Sequence, residues 1–355
     1  MKVLHVIEPF ASGITTFLVY LTKHLPQHDH IILHGTRTSV DNIVNVRQRF
    51  DKTVSFIEWP GAQREISLVR DLKALFQLVR VIRQVPCEII HLHSSKAGFL
   101  GAIACLVLRK KNVVYTPHAV SFLRTDISVR KRKLFQSLEK IASKINPRII
   151  ACCKQEWLAY KKLGIETTQI NNGFPSYDIE KYSNSRVNIV FSGLITRQKD
   201  PETFNLIAKA FVENSEISFT WIGDGELRDQ LSSTNIRVTG WIEKPEINKL
   251  LGSADIYLAT SSWEGLPYGV LEAMNSRCSL VLSKAGGHID LVKIGVNGYL
   301  FDSTQEAIDQ IAGLIGDRKK IDAMGISSYS ILRQKFSIDQ MTESYHNYYS
   351  RIIKK

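Results

Sequence analysis

Glu264 and Glu272 stand with seven residues between them in the run Trp263-Glu264-Gly265-Leu266-Pro267-Tyr268-Gly269-Val270-Leu271-Glu272-Ala273-Met274. The run follows an expected strand over Asp255–Ser261. Pro267 suits a first helical position, where its missing N–H costs nothing, and Glu272 then lies about one turn into that helix. Such a turn offers two chemistries. The unsatisfied amides of a helix start attract anions, phosphate above all. Carboxylates accept hydrogen bonds from sugar hydroxyls. A ligand carrying phosphates and sugars together, a nucleotide-sugar, would use both. Taken alone, the string also reads as a solvated loop, since glutamates are mostly exposed.

Other strings at the ends of expected strands carry compatible chemistry. Ser192-Gly193-Leu194-Ile195-Thr196-Arg197-Gln198-Lys199-Asp200-Pro201 combines a glycine, which permits close backbone approach, with cations that would neutralise a diphosphate. Trp221-Ile222-Gly223-Asp224-Gly225-Glu226 runs from a strand into a glycine-rich turn. Thr239-Gly240-Trp241-Ile242 follows another strand, and Trp241 fits either a base-side position or the core. Ala11-Ser12-Gly13-Ile14 opens a helix after the first strand. His91-Leu92-His93-Ser94-Ser95-Lys96-Ala97-Gly98 places two histidines on one strand face; no neighbouring Cys, Asp or Glu supports a metal there. Tyr115-Thr116-Pro117-His118 closes a further strand, and Lys284-Ala285-Gly286-Gly287-His288 reads as a loop beside the Glu264 turn, with His288 structural or exposed.

Together these strings resemble the GT-B retaining glycosyltransferases of family 4 (glycosyl transferases group 1), of the bacterial surface-polysaccharide type. Glu264–Glu272 matches that family's E-x7-E signature, and the resemblance extends over most of the chain. It implies that Glu272 binds ribose hydroxyls and that Glu264, with the turn Gly265-Leu266-Pro267-Tyr268 and the amides of Gly265, Leu266 and Tyr268, holds donor sugar and phosphate. Gly13, Gly193, Gly223 and Ile242 would complete the donor site. Lys199 matches the lysine that holds the diphosphate. The family arginine is replaced by Leu194, and Arg197 is the nearest substitute. His118 would sit near the transferred sugar, with His93 and Lys96 on the acceptor side.

The elements that must position these residues alternate strand with helix throughout, which argues for parallel sheets covered on both faces. A chain of 355 residues suggests two domains. The expected fold is α/β, GT-B, with two doubly wound Rossmann-like domains facing across a cleft. The boundaries read as 1–178 for the acceptor-side domain and 186–335 for the nucleotide-sugar domain, with 336–355 a closing helix that the resemblance carries back to the first domain.

Charge is unevenly spread. Residues 1–180 carry 26 Lys and Arg against 14 Asp and Glu, whereas residues 181–355 carry 20 of each. The densest cluster is Arg130-Lys131-Arg132-Lys133, after Arg109-Lys110-Lys111. This fits an anionic membrane surface and a lipid-diphosphate-linked acceptor. No recognition-helix or RNP-like pattern supports nucleic acid. Glu8 interrupts the apolar opening run, so no secretory signal is expected. The longest apolar run, Ala97 to Leu108, reads as a buried helix rather than a membrane span. Five cysteines without a C-x-x-C pair fit a reducing cytoplasm.

The expectation is therefore a cytoplasmic transferase, peripheral at the inner face of the cell membrane. It would be a metal-independent hexosyltransferase moving a sugar, most simply from a UDP-sugar, with no cofactor and no bound metal. Lys199, Arg197 and helix starts would stabilise the leaving diphosphate electrostatically. The resemblance implies retention, the acceptor hydroxyl attacking from the leaving-group side. Two other readings stay open from sequence: a GT-B UDP-sugar epimerase, and a non-catalytic nucleotide-sugar-binding or membrane scaffold protein.

Overall fold

The computed structural model describes residues 1–8, 10–35, 43–63, 67–182 and 185–354. The chain divides into two compact units, Met1–Gly173 with Ile338–Lys355, and Phe174–Ser337. Each is α/β with its own parallel sheet.

In the first unit, β1 (Lys2–Ile7), β2 (Asp29–His34), β3 (Ser55–Glu58), β4 (Ile89–His93) and β5 (Val113–Thr116) pair in the order β3-β2-β1-β4-β5. Helices α1 (Ser12–His24), α2 (Ile43–Gln48), α3 (Leu68–Gln84), α4 (Ser95–Val107), α5 (Val129–Ile145) and α6 (Lys154–Lys162) connect them, with a short pair β6 (Ile150–Ala151) and β7 (Thr168–Gln169). Strands β1 and β4 are almost wholly buried, which is why apolar residues fill both of their faces, interrupted by His5, His91 and His93. Helix α3 buries Ala74, Leu78 and Ile82 at fourfold spacing, the mark of one inward stripe. In α4 the small residues let the helix lie directly on the sheet: a side chain on Gly98 would collide with the Tyr115 ring, and one on Gly101 with Leu92. The apolar run Ala97 to Leu108 is buried up to Cys105 except for half-buried Phe99 and Ile103, and Leu106 and Val107 are exposed.

In the second unit, β8 (Val187–Ser192), β9 (Ile217–Ile222), β10 (Ile236–Val238), β11 (Ile256–Ala259), β12 (Ser279–Ser283) and β13 (Gly298–Phe301) pair in the order β10-β9-β8-β11-β12-β13. Its helices are α7 (Pro201–Lys209), α8 (Lys244–Gly252), α9 (Tyr268–Asn275), α10 (His288–Leu291), α11 (Thr304–Ile315) and α12 (Arg318–Lys335). The closing helix α13 (Ile338–Ile353) belongs to the first unit and buries Tyr345 and Tyr349 there.

Both sheets reverse direction of winding beside their first strand, between β1 and β4 and between β8 and β11. Ligands of open α/β sheets lie at the carboxyl ends of strands flanking such a point. Pro267 takes an extended conformation and caps α9, so the helix begins one residue later, at Tyr268, than the sequence suggested. Trp241 is 62% exposed and no part of the core.

Candidate functional site

In the second unit, the loops after β8 and β11 are knitted together. Asp200 caps α7 from a left-handed backbone, φ +51°, its carboxylate accepting from the Thr203 amide and hydroxyl. The Thr260 hydroxyl donates to the Lys199 carbonyl at 2.7 Å, and the Ser262 amide donates to the Gln198 carbonyl at 2.8 Å. These bonds aim Lys199 at Glu264: Nζ to Oε1 is 2.5 Å. The Gln198 amide donates to the Trp263 carbonyl at 2.9 Å and reaches the other Glu264 oxygen at 3.4 Å. Glu264 is 7% exposed. Burial is the largest single influence and opposes its charge, yet the Lys199 ammonium, His288, the hydrogen bond from Lys199 and the Ser261 hydroxyl together hold the carboxyl below the usual range.

Gly265, Leu266 and Tyr268 are buried and Pro267 is half-buried, so this turn presents backbone rather than side chains. The Lys284–His288 loop lies against it. Gly286, φ +48°, packs on the Glu264 carbonyl so closely that a side chain would collide. His288 is fully buried, not exposed; its Nδ1 bonds the Ser283 carbonyl at 3.0 Å. Gly223 abuts the Gly193 carbonyl, with φ +137° and no room for a Cβ, and the Gly193 amide donates to Ile222. Gly193, Gly223, Lys199 and the Glu264 turn thus share one strand-end surface. A cavity of about 430 Å³ opens beside it, lined in part by Asp200, Thr260, Ser262 and Lys284.

Glu272 lies further along α9, where the Lys244 ammonium meets its Oε1 at 2.5 Å. Half-buried Ile242 is two residues before Lys244, so this pair ties Glu272 to the Ile242 edge. Arg197 is exposed and makes no ion pair or hydrogen bond among the described residues.

In the first unit, Ser12 opens α1 with φ +59°, a left-handed conformation that costs a non-glycine residue roughly 1–2 kcal/mol. Beside it Gly13 is exposed, with open space where a side chain would stand. Lys96 is held in an ion pair with Asp71 of α3 at 2.6 Å. His118 and Ala119 both take left-handed backbone, φ +53° and +90°. A buried carboxylate holds that bend: Glu156 Oε1 accepts from the amides of Ala119 at 2.7 Å and Val120 at 3.1 Å, and Oε2 from Cys152 at 3.0 Å. His118 packs on Phe17, with centroids 4.5 Å apart, and its Nε2 bonds His93 Nδ1 at 3.0 Å. Burial pushes the His118 imidazole down to about 3, so it is neutral.

Two buried clusters bring three metal-binding atoms within 4.8 Å: His5, His91 and His93, and Cys152, Cys153 and Glu156. Their geometry serves other bonds. His5 spans His93 and His30, His91 spans Tyr349 and Thr116, and Glu156 is committed to three amides.

Sequence reasoning passed over Lys244, Thr260, Glu156, His5 and His30. Glu156 had a signal, since Cys153 and Glu156 sit at the N-cap and third position of α6, the capping-box spacing. The histidines had another: each interrupts an apolar strand. Lys244 and Thr260 had none, because each works across a tertiary contact.

Comparison with known proteins adds to this geometry. Residues 11–175 match the family described as Glycosyltransferase Family 4, and residues 186–317 match Glycosyl transferases group 1. The chain is 30% identical over 285 residues to the UDP-Gal:alpha-D-GlcNAc-diphosphoundecaprenol alpha-1,3-galactosyltransferase of Escherichia coli, spanning 71% of this chain and 72% of that one. It is 27% identical over 249 residues to the O-antigen biosynthesis glycosyltransferase WbnH of Escherichia coli, 67% and 70% of the two chains. The fold resembles that of Anabaena HepE, solved with UDP and glucose, with TM-score 0.78, 20% identity and 99% of each chain covered.

Proposed function

The chain belongs to glycosyltransferase family 4 and is a glycosyltransferase; on that premise we propose that it transfers a hexose from a UDP-sugar to a lipid-diphosphate-linked saccharide in surface-polysaccharide assembly. The observation that carries the reading is the Lys199–Glu264 pair at the ends of the two switch-point strands, with Glu272 on the helix that follows. Lys199 and the amides opening α9 stabilise the departing diphosphate, a task that needs no metal. Glu264 holds the donor sugar, Glu272 the ribose, and His118 serves the transferred sugar. Retention of anomeric configuration follows the family, with a donor phosphate oxygen taking the acceptor proton. The lipid-linked acceptor is supported by the galactosyltransferase relative, whose name gives it such an acceptor.

The test is release of UDP from UDP-hexoses with and without an undecaprenyl-diphosphate-linked sugar. Acceptor-dependent release is expected. Sugar interconversion without acceptor would instead indicate an epimerase, and UDP binding without turnover of any donor a binding scaffold.

The acceptor also bears on location. No helix among the described residues is long and apolar enough to cross a membrane. Helix α3 exposes Leu68 and Phe76, 79% and 72% accessible, with Leu72, among Arg70, Lys73, Arg80 and Arg83. Helix α5 exposes Val129, Leu134 and Ile141 beside Arg130 to Lys133. Apolar side chains interleaved with cations suit an anionic lipid surface. We assign these faces to peripheral docking at the inner face of the membrane. Co-flotation with vesicles containing anionic lipid, lost with purely zwitterionic vesicles, is the expected result.

A further inference from the structure

Histidines line up obliquely across the first sheet, each about two residues further along the strands than the one before. His30 stands on β2, His5 on β1, His93 on β4, and His118 just after β5. Each imidazole bonds the next. His30 Nδ1 meets His5 Nε2 at 3.0 Å, His5 Nδ1 meets His93 Nε2 at 3.1 Å, and His93 Nδ1 meets His118 Nε2 at 3.0 Å. At the far end His30 Nε2 meets the Leu25 carbonyl oxygen at 3.1 Å. The line is buried: His5 and His93 are fully covered and His30 is 4% exposed. Burial lowers the proton affinity of all four rings, so each carries a single N–H.

A carbonyl can only accept. His30 must therefore donate from Nε2, which leaves its Nδ1 bare. His5 must then donate from Nε2 to that bare nitrogen, and its own Nδ1 is bare. The same step repeats at His93 and ends at His118, whose Nε2 donates inward. Among the described residues His118 Nδ1 has no hydrogen-bond partner, and the residue is only half-buried.

We propose that His5, His30 and His93 are positioning residues that fix His118 as the Nε2–H tautomer, so that it offers a ligand a bare Nδ1 that accepts a hydrogen bond from a hydroxyl. The Leu25 carbonyl is the anchor that sets the direction of every bond in the line. The line orients; it does not conduct, because a carbonyl cannot take up the proton at its end. A neutral acceptor selects hydroxyl-bearing ligands over anionic ones. The hydroxyl's owner, donor sugar or acceptor saccharide, rests on the transferase reading; the tautomer does not.

The test is long-range 1H–15N NMR of ¹⁵N-histidine-labelled protein, which separates protonated from bare ring nitrogens and needs no substrate. His118 is expected to show a bare Nδ1 and a protonated Nε2 at neutral pH. A protonated Nδ1, or a charged His118, would overturn the proposal. His30→Leu removes the anchor and should give a mixed His118 tautomer. His30→Gln supplies an N–H for the Leu25 carbonyl and a C=O acceptor for His5 Nε2–H, and should preserve the native pattern, which distinguishes tautomer control from packing. An unaltered His118 signal in a folded His30→Leu protein also counts against it. In transfer assays His30→Leu should lower kcat about fivefold to tenfold, the worth of one hydrogen bond, with KM for the nucleotide-sugar unchanged and His30→Gln near native. A shift of Nδ1 on adding UDP-glucose or UDP-galactose, absent with UDP, would place the hydroxyl on the donor; a shift only with saccharide acceptor would place it there.

Discussion

In the first unit the central strands carry a line of neutral rings; in the second the segments that follow the strands carry ion pairs. Nine of the ten histidines lie in the first unit and only His288 in the second. The strand order around β1 repeats around β8, yet one switch point is furnished with the His30–His5–His93–His118 line and the other with Lys199–Glu264 and Lys244–Glu272. The difference follows from the proposed ligands. A diphosphate that gains negative charge as it leaves needs fixed cations. A neutral sugar hydroxyl needs an oriented acceptor, which a buried neutral imidazole supplies without the cost of burying charge. One architecture thus hosts two electrostatic regimes, since function resides in the residues grafted at the strand ends.

The comparison can be broken most sharply at Lys199. Lys199→Ala should cut kcat by on the order of 10²–10³-fold, the range for losing one preorganised charge-stabilising group, while sugar recognition weakens less. Transfer at the native rate would remove Lys199 from the mechanism. Because the substitution strands Glu264 as an unpaired buried charge, the double variant Lys199→Met with Glu264→Gln should regain stability and remain inactive.

Next is Glu156, an acceptor for three buried amides. Glu156→Ala should destabilise the first unit by about 3 kcal/mol, from unsatisfied donors, leaving the second unit intact. Peptide-resolved hydrogen exchange checks both halves of that statement; equal loss in the two units would contradict it.

Acid should separate the units as well. A histidine whose folded value lies below its ordinary 6.5 contributes its full stability above pH 6.5, because only the unfolded chain takes up the proton as pH falls. His5, His28, His30, His34, His91, His93 and His118 all shift this way, by burial. Glu139, raised to about 7 by burial, works oppositely, gaining stability between pH 7 and 4.5, and Glu156 shares that direction. The second unit has His288, lowered to about 4, and loses less. Urea unfolding with peptide-resolved proteolysis at pH 7.5, 6.5, 5.5 and 4.5 should show the first unit weakening more steeply than the second; parallel curves would refute this.

The smallest effect concerns Glu272. Glu272→Ala should weaken UDP binding about tenfold, one charged hydrogen bond's worth, with little change in stability because its Lys244 partner is 43% exposed and can return to water. Calorimetric titration with UDP gives the number, and unchanged affinity would detach Glu272 from the ribose.

Much of this was readable in one dimension. Apolar runs at strand spacing mark both parallel sheets, because a strand buried on two faces has no polar side to show. The Glu264–Glu272 string and Lys199 were visible as chemistry because glycine, proline and charge cluster where a strand hands over to a helix. What the string does not contain is who meets whom. Lys199 reaches Glu264 because Thr260 and Ser262 pin its loop, contacts about 60 residues apart. Lys96 looked available to an acceptor, yet Asp71 occupies it. Each histidine of the line was legible as a polar residue in an apolar strand; the direction of their hydrogen bonds was not. That direction depends on a single backbone carbonyl at Leu25 and on strand register, and only burial in a low-dielectric sheet makes each ring neutral and each bond one-way. Sequence determined the two folds and the inventory of functional groups; tertiary structure decided their partners, their charge and the way His118 faces a ligand.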